Sequence, residues 1–189
     1  GKSVNAALKA VESAYADIKD IPDDGVEENI IKSITGRVIS RDVSDYKVSL
    51  IDDNIERLGI SNIDVQVYNA LDKDDSLVGK ADIVIADLPC SGLGIMGRKP
   101  DIRYNISPEK ISDIIRLQRD ILEVVSMYVK PGGTLVYSTC TINRSENEDN
   151  ADWICTSLGF TRDGEYVQML PSPDKDNDGF FVARLIKNR

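Results

Sequence analysis

Two short segments carry the residues best suited to chemistry: Asp87-Leu88-Pro89-Cys90-Ser91-Gly92 and Ser138-Thr139-Cys140. Each puts a thiol just after a run rich in apolar or β-branched residues, 81–86 in one case and 134–139 in the other. A free cysteine is commonly a small buried hydrophobe, and as a thiolate it is a nucleophile, so either cysteine alone reads both ways. Cys155 sits inside a helical stretch with no reactive neighbour and reads as packing. Thiols at positions 90, 140 and 155 fit neither a zinc knuckle nor a C-x-x-C redox pair, and no metal site is expected. The chain has no histidine, which excludes Ser/His/Asp and Cys/His hydrolases and the usual zinc catalysts. Proton transfer is left to carboxylates, lysine, tyrosine and cysteine.

The elements that must position these residues alternate along the chain. Apolar residues at Val4, Ala7, Leu8, Val11, Tyr15 and Ile18 follow helical spacing, with Ser3 as N-cap. Pro22-Asp23-Asp24-Gly25 is a loop composition ahead of a shorter helical pattern through Val26, Ile30 and Ile34. Residues 36–42 read as a strand, followed by a helix carrying Val48, Ile51, Ile55 and Leu58 and closed by Gly59. Residues 63–68 form the next strand, and 81–86 a near-continuous apolar strand of the kind buried on both faces. Ser107-Pro108 open a helix whose apolar face runs Ile111, Ile114, Ile115, Leu122, Val125 and Val129, until Pro131-Gly132-Gly133 stops it. A strand follows over 134–139. Ser145 and Glu148 read as a capping box for a helix that buries Ile154 and Leu158 and ends at Gly159. Two β-like runs, 166–170 and 179–186, complete the pattern, which predicts a doubly wound α/β sheet, mostly parallel, with an antiparallel C-terminal edge. In such sheets ligands bind beyond the carboxyl ends of the strands, here at Asp42, Asn69, residues 87–92 and Cys140.

The 189 residues, 41% of them hydrophobic, suit one globular domain over 1–189 that needs neither metal nor disulfide to hold its core. No apolar run approaches the ~20 residues needed to cross a bilayer, and no basic leader precedes an apolar run, so a cytoplasmic location and no membrane partner are expected. With 23 basic and 32 acidic residues the net charge is −9, an unpromising balance for binding nucleic acid. Its distribution is uneven: residues 98–119 hold six bases (Arg98, Lys99, Arg103, Lys110, Arg116, Arg119) against three acids, a positive island on an acidic body.

Taken with Arg98-Lys99-Pro100-Asp101-Ile102, Lys130-Pro131-Gly132-Gly133 and Asp178-Gly179-Phe180-Phe181, the two cysteine segments resemble those of the RNA cytosine-5 methyltransferases. The nearest likeness is to the bacterial RsmB type, also called Sun or Fmu, which acts on 16S ribosomal RNA. It runs from Gly36 onward, and the paired cysteines are its specific part, whereas Pro-Gly-Gly before a strand occurs in many methyltransferases. The resemblance implies a Rossmann-like class I fold that uses S-adenosylmethionine (SAM) to methylate carbon 5 of a cytosine in small-subunit ribosomal RNA. It implies Cys140 as the attacking thiol, Cys90 as an aid to release of the methylated base, and Asp87 at the cytosine ring edge. Carbon 5 of cytosine accepts a methyl group only after a nucleophile adds at carbon 6. Only a few per cent of an ordinary thiol is ionised at neutral pH, a penalty of about 2 kcal/mol. That is small beside the roughly 8–23 kcal/mol by which enzymes lower barriers, so the lack of histidine is tolerable.

For the cofactor, the resemblance implies Asp42 on the ribose hydroxyls, Asn69 beside the adenine amino group where the family usually has Asp, and contributions from Asp87 and Pro89, whose ring also holds the turn. Gly1 and Lys2, with Ser3, look like the end of the family's glycine-rich cofactor loop. The first strand of the sheet, the first half of that loop and the family's N-terminal RNA-binding domain are then expected to be missing, which makes the chain an N-terminally truncated catalytic domain. Leu88 stands where Ala is commoner. Arg98, Lys99 and Arg103 are implied contacts to RNA phosphates. Rival readings are a transfer RNA substrate, a non-catalytic RNA-binding module and a thiol-redox protein.

Overall fold

The computed structural model describes residues 36–172, 174 and 177–189. Gly1, Lys2 and the helical patterns expected before Gly36 lie outside the described residues. The chain divides into two compact units, Gly1–Ala70 and Leu71–Arg189.

The described part of the first unit is a β–α–β turn of chain. Strand β1 (Val38–Asp42) and strand β2 (Ile63–Val67) pair in parallel, Val38 against Ile63 through Asp42 against Val67, with helix α1 (Asp45–Leu58) as the crossover. Ser44 caps α1, its side chain accepting from Lys47 N, and Asp45 sits favourably in the positive first turn. Gly59 ends the helix in the left-handed region at φ 65°, where a side chain would be strained.

The second unit holds both cysteine segments. Its strands are β3 (Ala81–Asp87), β4 (Val129–Thr139), β5 (Phe160–Arg162), β6 (Val167–Met169) and β7 (Phe180–Lys187). The main sheet runs β3-β4-β7-β5, and β6 also pairs with β7. β3 and β4 are parallel, while β7 is antiparallel to β4, β5 and β6. The helices are α2 (Ile102–Asn105), α3 (Pro108–Tyr128) and α4 (Glu148–Ser157), with single 3-10 turns at Leu93–Ile95 and Arg144–Glu146. The expected α/β class, with parallel pairs and an antiparallel C-terminal edge, is what forms. Leu122, Leu135, Tyr137, Ile154, Phe181 and Leu185 are fully buried between the sheet and helices α3 and α4. Ser107 caps α3 by accepting from Lys110 N, with Pro108 in its first turn.

Four local expectations are corrected. Val129 opens β4, paired with Ala81, and does not close α3. Pro131-Gly132-Gly133 is taken into β4 beside the register shift between Ala81 and Ile83, so it is an irregularity within the strand. Strand β3 is not buried on both faces, since Ile83 is 62% and Ile85 46% exposed. The capping box also fails to form. Asn147 is the N-cap of α4, and it makes no side-chain cap bond because that side chain is committed elsewhere.

Candidate functional site

The parallel pairing of β3 with β4 sets Asp87 opposite Ser138, so both strands deliver their following residues to the same end of the sheet. Ser138 Oγ donates to Asp87 Oδ1 at 2.8 Å, and Leu88 N donates to Ser138 O at 3.2 Å. Two residues further on the chains carry their thiols into contact. Cys90 Sγ and Cys140 Sγ are 3.0 Å apart, and Cys140 N donates to Cys90 Sγ at 3.3 Å. Cysteines separated by 50 residues in sequence are thus joined by two hydrogen bonds. Cys155 takes no part in that pair and packs against the edge of the core, as expected.

Two thiolates at this separation would repel, so the pair keeps one proton far above the ordinary thiol range. Its hydrogen bond to Cys140 is the largest cause of the upward push on Cys90, and burial is the next; the amides of Gly92 and Cys140 pull weakly the other way. The retained proton lies between the two sulfurs, either of which can donate to the other. Such an arrangement can present one sulfur as a nucleophile while the other holds hydrogen.

The loops are anchored from below by buried polar groups. Ser91 N donates to Glu146 Oε2 at 2.8 Å and Ser91 Oγ to Glu146 Oε1 at 2.5 Å. Gln118 Nε2, from the inner face of α3, reaches Pro89 O at 2.9 Å and Glu146 Oε2 at 3.3 Å. Asn147 Oδ1 accepts from Thr139 Oγ1 at 2.6 Å, and its Nδ2 donates to Thr141 O at 3.1 Å. Tyr137, whose hydroxyl donates to Glu146 O, packs edge-on to Phe181 beneath them, its phenol pushed up mainly by burial. Sequence reasoning missed Glu146, Asn147 and Gln118. A signal for Asn147 exists: it lies four residues before Ala151 and three before Asn150, on the same inward stripe as Ile154.

Beside Cys90 opens a cavity of about 140 Å³ lined by Ser91, Ile102, Asn105, Ile106, Lys110 and Ile114. Pro89, Arg98, Lys99 and Arg103 are exposed. Arg98 is tied to Asp178 at 3.2 Å. The positive island is smaller than its composition suggests, because Arg119 turns onto Asn150 Oδ1 and the Trp153 ring and Arg116 lies near Asp113. In the first unit, Asp42 ends β1 with Oδ1 accepting from Ser44 N and Oδ2 facing Lys47 Nζ at 3.3 Å; its side chain is 26% exposed. Tyr68 N donates to Asp42 O, which sets the exposed Asn69 just beyond the neighbouring strand end.

Residues 29–186 match the family described as 16S rRNA methyltransferase RsmB/F. Ribosomal RNA small subunit methyltransferase F of Salmonella paratyphi A is 35% identical over 173 residues, covering 80% of this chain and 35% of that protein. The chain thus spans about a third of the length of the curated relatives it matches. Among solved structures, NSun6 from Pyrococcus horikoshii with SFG superposes with a TM-score of 0.67 at 25% identity, over 90% of this chain and 47% of that one. A methyltransferase homolog protein from the same organism gives 0.69 at 22% identity, over 86% and 58%, and speaks to the fold alone.

Proposed function

The chain belongs to the 16S rRNA methyltransferase RsmB/F family, and from that premise we propose that it makes 5-methylcytosine in small-subunit ribosomal RNA. Cys140 is the nucleophile and Cys90 the group that frees the product. The observation carrying this reading is the 3.0 Å approach of two thiols at the ends of adjacent parallel strands.

The Cys140 thiolate adds to carbon 6 of cytosine, the C5–C6 π pair shifts into the ring, and carbon 5 becomes nucleophilic. Asp87, steadied by Ser138 Oγ, meets the ring edge and shares a proton as charge accumulates there. SAM supplies the methyl group when bound. Release removes the carbon 5 proton and returns the C6–S pair to sulfur. While both thiols are free, Cys140 is the main cause that keeps the proton on Cys90. Alkylation of Cys140 removes that cause and so eases loss of the Cys90 proton to solvent, and the thiolate formed takes the proton from carbon 5. Departure of Cys140 as thiolate then restores the starting pair. The base must be unstacked to expose both its faces, which favours a loop or transiently open RNA.

The acceptor groups at the ends of β1 and β2 suit the cofactor. A carboxylate can take both ribose hydroxyls and an amide oxygen an adenine amino group, so Asp42 and Asn69 are assigned to those ends. The Lys47 contact is an exposed pair of little energetic weight and yields readily. Gly1, Lys2, Asp87 and Pro89 are the further proposed cofactor residues, and Arg98, Lys99 and Arg103 the proposed phosphate contacts.

Replacement of the two cysteines tests the reading. Incubated with SAM and a small-subunit ribosomal RNA transcript, Cys90→Ser accumulates a covalent protein–RNA adduct that survives denaturing electrophoresis, and Cys140→Ser forms none. Exchange of the two phenotypes overturns the role assignment. Methylation of transfer RNA but not of ribosomal RNA moves the substrate class.

A further inference from the structure

Glu146 is a carboxylate with no solvent exposure that the proposed chemistry does not use. Among the described residues no lysine or arginine pairs with it. Instead it accepts four hydrogen bonds from neutral donors: Ser91 N, Ser91 Oγ, Asn143 Nδ2 at 3.0 Å and Gln118 Nε2. A buried carboxyl group held this way depends on donors that are fixed, and in turn it fixes them. The next residue, Asn147, is equally buried and grips the other thiol loop on both sides of Cys140, through Thr139 Oγ1 and Thr141 O. One side chain thus holds the residue after Cys90, its neighbour holds both residues flanking Cys140, and a single peptide bond joins them. Ser91 Oγ and Thr141 Oγ1, 2.8 Å apart, close the bracket directly.

We infer that Glu146 and Asn147 are positioning residues that set the separation of the two thiols, with Glu146 governing Cys90 and Asn147 governing Cys140. In its consequence for catalysis the inference rests on the function proposed above; in its geometry it does not. Because each residue steadies a different sulfur, their loss produces opposite defects. Without Glu146 the attack still occurs and release is slow. Without Asn147 the attack itself is slow.

The test uses the full chain in a Cys155→Ser background, so that only the paired thiols respond. Diamide, which accepts two electrons and two protons as two thiols join, probes their approach without substrate. Glu146→Ala and Asn147→Ala are each expected to slow formation of the Cys90–Cys140 disulfide by at least about tenfold, the scale on which small misplacements act, while far-UV circular dichroism stays that of the parent. With SAM and ribosomal RNA transcript, Glu146→Ala accumulates covalent adduct and Asn147→Ala forms less than the parent. In both, kcat falls while KM for RNA is preserved. Glu146→Gln, which keeps the volume but turns an amide donor toward existing donors, serves where Glu146→Ala does not fold and is expected to slow the disulfide as well. A folded variant that crosslinks at the parental rate overturns the inference, and so do identical adduct signatures from the two positions. Should the parent methylate no RNA while crosslinking still depends on Glu146 and Asn147, the proposed function fails and the positioning role stands.

Discussion

At the residue scale, the approach of Gly94 to the floor of the thiol pair is the tightest constraint after the thiols themselves. Its amide donates to Cys140 O at 3.1 Å, and its carbonyl accepts from Gly179 N at 2.7 Å. A Cβ on Gly94 would stand 2.5 Å from Gly179 O and 2.8 Å from Cys140 O, both backbone atoms that cannot swing aside. Gly94→Ala is therefore expected to cost about 1–3 kcal/mol, the usual range for overpacking, measured as a lower urea midpoint. Because Cys140 O is one of the obstructing atoms, the same variant will crosslink its thiols more slowly than the parent. The thiols were legible from sequence because both follow strands that a parallel sheet must bring side by side. Glu146 was not, since an acid at a helix start ordinarily faces water, and only the partners waiting inside reverse that preference.

At the element scale, α2 and the turn before it carry what remains of the positive island. Lys99 and Arg103 are exposed there, whereas Arg119, on α3, is spent on Asn150 and Trp153. If α2 meets the phosphate backbone, Lys99→Ala and Arg103→Ala will weaken binding of ribosomal RNA fragments alike across sequences. Each is expected to flatten the slope of log affinity against log salt by about 1; unchanged slopes in a filter-binding titration would remove these residues from the interface. Helical periodicity located α1 and α3 well, because Gly59 and Ser107-Pro108 punctuate them. It overran at Val129, an apolar residue equally at home on a helix face or in a buried strand, where pairing with Ala81 decided the outcome. The apolar stretch in β3 suggested a strand covered on both faces, and Ile83 and Ile85 show that composition alone does not say what covers a face.

At the scale of the whole molecule, the absence of histidine shifts its pH response to the alkaline side. Cys90, Tyr137 and Tyr166 all hold their protons more tightly than free side chains do, Cys90 through the bond to Cys140 and both tyrosines chiefly through burial. The unfolded chain releases those protons near the ordinary values of 9.0 for the thiol and 10.0 for the phenols, while the folded chain retains them. The folded state binds more protons there, so this contribution is complete below about pH 9 and declines above it. The urea midpoint is expected to fall as pH rises from about 9 to about 11, and Cys90→Ser to reduce part of that fall.

The bracket formed by Glu146 and Asn147 also bears on how the chain can vary over evolutionary time. Both side chains reach their targets only if the stretch from Thr141 to Asn147 keeps its length, because inserting or deleting one residue would carry one grip out of reach of its loop. The turn after β5, where Gly164 lies in open space, carries no such demand. Drift among descendants of this sequence will accordingly change the identity of residues behind Cys140 before it changes their number, and will alter the length of the connection between β5 and β6 around Gly164 more readily.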